Sequence, residues 1–151
     1  MKKIFIIIGI VFVILLLVGG ISISFLAIKG ARLDKDSKKY ADSIIMAIVK
    51  EWSEEEAIRR SSPELKNIIT KEELNKFFNT YRRLGKLKSY GGAIGQSNIS
   101  LSSENGIEIT AHYEAKAEFE AGSAKITIDL IKHDDEWQIL KFNIDSTIFF
   151  E

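Results

Sequence analysis

From Ile4 to Ile28 the chain carries 25 consecutive residues without a charge, rich in Ile, Leu, Val and Phe. As a helix such a run is about 37 Å long, enough to cross a hydrocarbon core of about 30 Å with some tilt. A helix packed on a small soluble domain keeps a polar face, and this run has none. It predicts a membrane span. A cleaved secretion signal is the competing reading, since Lys2 and Lys3 supply a charged start. The apolar part of such a signal is usually about 7–15 residues, however, and no small-x-small site sits where cleavage would fall. The expectation is an uncleaved anchor with a short linker over residues 1–31, touching the bilayer through Ile4–Ile28, and one domain over 32–151.

Flanking charge gives two answers on orientation. Lys2 and Lys3 hold the N-terminus in the cytoplasm by the positive-inside rule, whereas Lys29, Arg32, Lys35, Lys38 and Lys39 follow the span. The short charged start leading into an apolar run resembles a secretion signal, which favours a single-pass protein with its C-terminal domain on the extracytoplasmic side. The chain has no cysteine, which excludes disulfides and thiol chemistry and fits either compartment. Within the anchor, Gly20 and Ser24 have the small-xxx-small spacing that lets helices pair, a hint of self-association.

Beyond the linker, 120 residues are enough to close one hydrophobic core. Arg32–Tyr90 carries 14 basic and 10 acidic residues, and Gly91–Glu151 carries 4 and 11. The acidic second half argues against a nucleic-acid surface.

The first half reads as helices. Asp34 or Asp36 can cap a helix whose stripe is Tyr40, Ala41, Ile44, Ile45, Ile48, Val49 and Trp52. Ser53 with Glu56 is a capping box opening a short helix, and Pro63 suits the first turn of another. Thr70 with Glu73 opens a helix striped by Leu74, Phe77, Phe78, Tyr81 and Leu84, which Gly85 ends.

After Gly85 the period changes to two. Ile107, Ile109, Ala111, Tyr113, Ala115, Ala117 and Phe119 alternate with polar residues, a long strand with one wet face. Ile126, Ile128 and Leu130 continue it in a second strand. Trp137 and Ile139 open a last strand that Phe142, Ile144 and Ile148 finish on the opposite parity, so a bulge is expected near Leu140. Asn105-Gly106 signals a hairpin, Ala121-Gly122-Ser123 and His133-Asp134-Asp135 two further reversals, and Gly91, Gly92 and Gly95 a bend in the first strand. The expected fold is α+β: a transmembrane helix, then three or four helices packed on an antiparallel sheet of about four strands.

A first helix ending in Trp52, then Ser53-Glu54-Glu55-Glu56-Ala57-Ile58 and Ser62-Pro63-Glu64-Leu65, resembles the start of nuclear transport factor 2-like (cystatin-like) domains. Asp135-Glu136-Trp137-Gln138-Ile139-Leu140, leading into Phe142 and Ile144, resembles their last strand. The resemblance implies a curved, cone-like sheet wrapped round the first helices and an apolar pocket within. Members of that superfamily include isomerases, dehydratases and cyclases, and also non-enzymatic binding and assembly subunits. Some type IV secretion subunits join such a domain to one N-terminal membrane helix.

Enzymes of that class place Asp, His or Tyr inside the cone, where burial tunes pKa. Alternation puts Glu108, His112, Glu114 and Glu118 on the wet parity, and only Tyr113 on the buried one. A bulge would turn His112 inward. No catalytic pair is assigned. Two His 21 residues apart and no Cys leave no metal site, and Asp134-Asp135-Glu136 reads as a solvated hairpin tip. No nucleophile elbow or phosphate loop is present, and no cofactor is expected.

Tyr81, Tyr113 and Trp137 are the candidate ligand-lining aromatics, against a reading as plain core. Arg82, Arg83, Lys86 and Lys88 could meet an acidic partner or lipid phosphates, or simply complement a helix C-terminus. Glu114 and Glu118 could dock a basic partner, or form an ordinary wet sheet face. The expected function is a membrane-anchored, non-catalytic module that binds another envelope protein; the alternative is a small-molecule-binding or isomerase/dehydratase-type enzyme using the pocket.

Overall fold

The computed structural model describes residues 30–102 and 106–150. The apolar run Ile4–Ile28 and Asn105 of the hairpin signal lie outside the described residues. No helix among the described residues is long and apolar enough to cross a membrane. The chain divides into two compact units, Met1–Leu33 and Asp34–Glu151. The second holds an α+β fold of four helices and a four-stranded antiparallel sheet.

Helix α1 is helical over 30–49 and buries Ala41, Ile44, Ile45, Ile48 and Val49 completely. It ends in a Schellman motif, the N–H of Ser53 donating to the carbonyl of Ile48 at 3.0 Å. The left-handed position of that motif usually holds glycine, and here Trp52 fills it with φ of 50°. Its side chain explains the exception. The indole stacks on Phe119, with ring centroids 5.2 Å apart, and donates to the carbonyl of Gly85 at 2.9 Å.

Three short helices follow, each begun by a hydroxyl: Ser53 and Thr70 as expected, and Ser62 in addition, while the Glu56 carboxylate turns to Arg60 at 2.8 Å and so leaves the Ser53 capping box half made. Ser53 caps α2 (Glu54–Arg59), Ser62 caps α3 (Pro63–Ile68), and a full capping box of Thr70 and Glu73 opens α4 (Lys71–Tyr81). The chain then tightens into a 3-10 turn, Arg82–Leu84, and Gly85 ends it with φ of 76°.

Strands β1 (Leu87–Ser102), β2 (Gly106–Phe119), β3 (Ser123–His133) and β4 (Glu136–Asp145) form a meander in the order β1-β2-β3-β4. In β2, Ala111, Tyr113, Ala115, Ala117 and Phe119 are buried, and His112, Glu114, Lys116 and Glu118 are exposed, as the alternation required. Leu130 pairs with Ile139 and Asp129 with Lys141, so Leu140 is the extra residue of a bulge. That bulge switches the parity of β4. Ile148 belongs to a 3-10 turn, Thr147–Phe150, and not to the strand, which stops at Asp145. Asp134 and Asp135 both adopt positive φ, 47° and 68°, and form the two-residue reversal between β3 and β4.

In β1 the glycines mark irregularities. Between Tyr90 and Ala93 the register slips by one residue at Gly91-Gly92, and Gly92 has φ of 84°. At Gly95 the strands approach so closely that a Cβ would lie 1.9 Å from the carbonyl oxygen of His112. No other residue fits there.

Both sheet edges are met at particular positions. Ile139 of β4 donates to the carbonyl of Arg60 and accepts from the N–H of Ser62, each at 2.8 Å, which ties the α2–α3 junction to that edge. On β1, Asp34 and Asp42 of α1 accept from the N–H groups of Ser97 and Ala93, each at 2.7 Å. Capped edges resist pairing with other chains.

Candidate functional site

Between α2, α3 and α4 on one side and β4 on the other lies a pocket of about 320 Å³. Ile58 of α2, Leu65 of α3, Ile69, Leu74 of α4, and Ile139 and Phe142 of β4 form its walls. Their convergence follows from the capped, short helices. Six-residue α2 and α3 are too short to bury a stripe of their own, and the Ile139 bridges hold their junction against the strand. At the mouth, Ile68 is 76% exposed and Phe77 49% exposed.

Tyr81 closes the inner end. Its ring lies among Phe78 at 5.9 Å, Phe149 at 5.9 Å, Phe142 at 6.5 Å and Phe77 at 6.4 Å between centroids. Burial pushes its phenol above the ordinary value, partly offset by a hydrogen bond with the backbone at Ile144. The other titratable side chains lining the pocket are Glu73 and Lys141. The backbone N–H and hydroxyl of Thr70 hold the Glu73 carboxyl below its usual range. Glu73 is thus a helix-capping carboxylate, poorly suited to take up a proton near neutral pH. The pocket can hold an apolar group by burial, with Tyr81, Lys141 and Asn143 as polar contacts.

Of the three candidate ligand-lining aromatics Tyr81, Tyr113 and Trp137, only Tyr81 lines this pocket. Tyr113 is fully buried in the core, its hydroxyl 2.8 Å from that of Ser37 and donating to the carbonyl of Asp34 at 3.1 Å. Trp137 is buried in β4 but does not line the pocket.

The basic residues do not form one patch. Arg82, Lys86 and Lys88 line an open cleft with Lys50, Trp52 and Tyr90. Arg82 already pairs with Glu54 at 2.7 Å and donates to Asn79 at 3.0 Å. Arg83 faces elsewhere and donates to the carbonyl of Ile148 at 3.0 Å. Glu114 and Glu118 lie on the outer sheet face, where Glu114 meets Lys125 at 3.2 Å and Ser123 donates to Glu118 at 2.8 Å. His112 stays on that outer face too, 2.5 Å from Asp129. His133 pairs with Glu64 at 2.9 Å. Among the described residues no group of three or more His, Asp or Glu side chains could hold a metal ion.

The pocket wall was readable only in part. Leu74, Phe77 and Tyr81 stood out as a helix stripe, which in isolation means core. A sharper signal was available in the neighbours Phe77-Phe78 and Ile68-Ile69. Adjacent residues on a helix diverge by about 100°, so both cannot face one core. Phe78 is buried and Phe77 is left at the mouth. No family model matches the chain, and no curated protein matches it.

Proposed function

We propose that the chain is a membrane-anchored, non-catalytic binding module that receives an apolar segment of another envelope protein in the pocket between α2–α4 and β4. The observation that carries this is the open, apolar mouth, with Ile68 and Phe77 exposed beside a lined cavity. A large apolar contact left at a surface is costly unless something covers it. The uncharged run Ile4–Ile28 supports the anchor, and the charged start before it supports an extracytoplasmic domain. The order of helices before a four-stranded meander supports the nuclear transport factor 2-like, cone-like reading, in which binding and assembly subunits are common. Fold likeness alone does not choose a role.

The test is site-specific photocrosslinking in intact cells, with the crosslinking residue at Ile68 or Phe77 and, separately, at Glu114 or Arg82. Crosslinks to one protein from Ile68 and Phe77, abolished by Leu74→Glu, are expected. Crosslinks from Glu114 or Arg82 alone would move the partner surface to the sheet face or the basic cleft. A reporter fused at Glu151 reads the side of the membrane.

A second reading has its own support. A volume of about 320 Å³ falls within the range of small-molecule sites, about 300–1,000 Å³, and Tyr81 offers a buried hydroxyl for orientation. Native mass spectrometry of the chain in mild detergent separates the two: a small apolar compound retained by the wild type and lost with Leu74→Glu would make this a ligand carrier or enzyme.

A further inference from the structure

The β1–β2 hairpin extends past the rest of the sheet, and its far end is apolar on the face that elsewhere forms the core. β3 pairs with β2 only as far as Thr110, while β1 and β2 continue together to Ser102 and Gly106. Ile99 pairs with Ile109 and Leu101 with Ile107, so these four side chains share one face. It is the face of Ala111 and Tyr113, two and four residues beyond Ile109 along β2. Unlike Tyr113, Ile99 is 53% exposed, Leu101 83% and Ile107 70%. Between Ser89 and Ala115 the sequence holds no Lys or Arg, so this hairpin is not built to grip phosphate.

The place of this patch relative to the chain's entry is set by α1. Asp34 is bonded to Ser97 and Asp42 to Ala93, so α1 runs back along β1. Following β1 from Ser97 towards Leu101 therefore leads to the end of the domain where the chain enters at Asp34. Leu101 lies about 13 Å along the strand from Ser97. Only five residues separate Ile28, the end of the uncharged run, from Asp34, a reach of about 20 Å at most.

We infer that the apolar end of the β1–β2 hairpin, through Ile99, Leu101 and Ile107, enters the interface of the same bilayer that holds the N-terminal run. This rests on the reading of Ile4–Ile28 as a membrane span. The domain then has two membrane contacts, a tether and an apolar wedge, and these fix which side of it faces outward. The pocket between α2–α4 and β4 is held in one orientation towards its partner. Insertion is driven by apolar burial, so it needs no anionic lipid.

The chain has no cysteine, so single labels are unambiguous. The full chain is reconstituted in phosphatidylcholine vesicles with an environment-sensitive dye at Leu101→Cys, Ile107→Cys, Ala121→Cys or Val13→Cys, and quenched by lipids bearing nitroxide at known depth. Ala121, exposed at the β2–β3 reversal, marks the opposite end of β2. The expected result is strong, shallow quenching at Leu101 and Ile107, deep quenching at Val13, and none at Ala121. Leu101→Glu in the Ile107→Cys chain should cut the quenching several-fold. Quenching at Val13 alone would overturn the hairpin contact and leave the anchor standing; no quenching anywhere would overturn both. A signal at Leu101 that appears only with anionic lipid, or that follows the protein-to-lipid ratio, would overturn it in favour of charge attraction or a second copy of the chain.

Discussion

Asp42 of α1 accepts a hydrogen bond from the backbone N–H of Ala93 at 2.7 Å, closing an edge position of β1 with a side chain. Asp34, two helical turns earlier, does the same for Ser97. Eight helical residues span about 12 Å and four strand residues about 13 Å, so helix and strand repeat in step. The two aspartates thereby set the register of α1 on the sheet and cover an edge that would otherwise be a template for pairing.

Acid should weaken the Asp42 contact. Burial by itself would raise the Asp42 carboxyl, but hydrogen bonds from Lys38, Ala93 and Tyr90 outweigh it and hold it below its ordinary value. A carboxyl depressed in the folded state stabilises above its unfolded pKa of about 3.9, and that contribution is lost as pH falls through the lower folded value. Asp42→Asn should therefore flatten the loss of stability below about pH 4. Asp42→Ala should cost about 1–3 kcal/mol at neutral pH by leaving the N–H of Ala93 unpaired. Denaturant unfolding of the full chain in mild detergent across pH measures both.

Gly95 and Gly92 should respond very differently to alanine. At Gly95 a Cβ would sit 1.9 Å from a backbone oxygen, so the strands must separate; a loss of about 3 kcal/mol or more is expected. At Gly92 nothing lies within 4 Å, and only the positive φ is penalised, about 1–2 kcal/mol. Amide exchange across β1 and β2 should quicken more in Gly95→Ala than in Gly92→Ala.

Trp52 holds a backbone conformation that glycine prefers, for the sake of its indole. Trp52→Ala should lose about 3–5 kcal/mol, from the contact with Phe119 and the bond to Gly85. Trp52→Gly, despite being smaller, should be about 1 kcal/mol less damaging, because it relieves the left-handed strain. The reverse order in a thermal or denaturant midpoint would show that the Schellman ending of α1 carries no strain.

Tyr113→Phe should cost about 1 kcal/mol, the net worth of a buried hydroxyl pair, with the apolar core unchanged. Combining it with Ser37→Ala should lose less than the sum of the two single changes, since they share the 2.8 Å bond. An additive result would mean that the Tyr113 hydroxyl is satisfied through Asp34 alone.

The sequence by itself determined the element types, because capping and periodicity are local. The hydroxyls at Ser53 and Thr70, the first-turn Pro63, the alternation of Ala111 through Phe119, and the parity switch that places a bulge at Leu140 all act within a few residues. What only the tertiary structure decided depends on which distant surfaces meet. Tyr81 became a pocket wall and Tyr113 a core group, although both are buried aromatics in regular stripes. The first lies where two short helices leave space beside β4, and the second beneath the start of α1. The basic residues from Arg82 to Lys88 are close in sequence, yet the 3-10 turn and Gly85 send Arg83 and Lys86 to different faces. Local chemistry specifies how each segment folds; the space left between segments, where a site can form, exists only once they are packed.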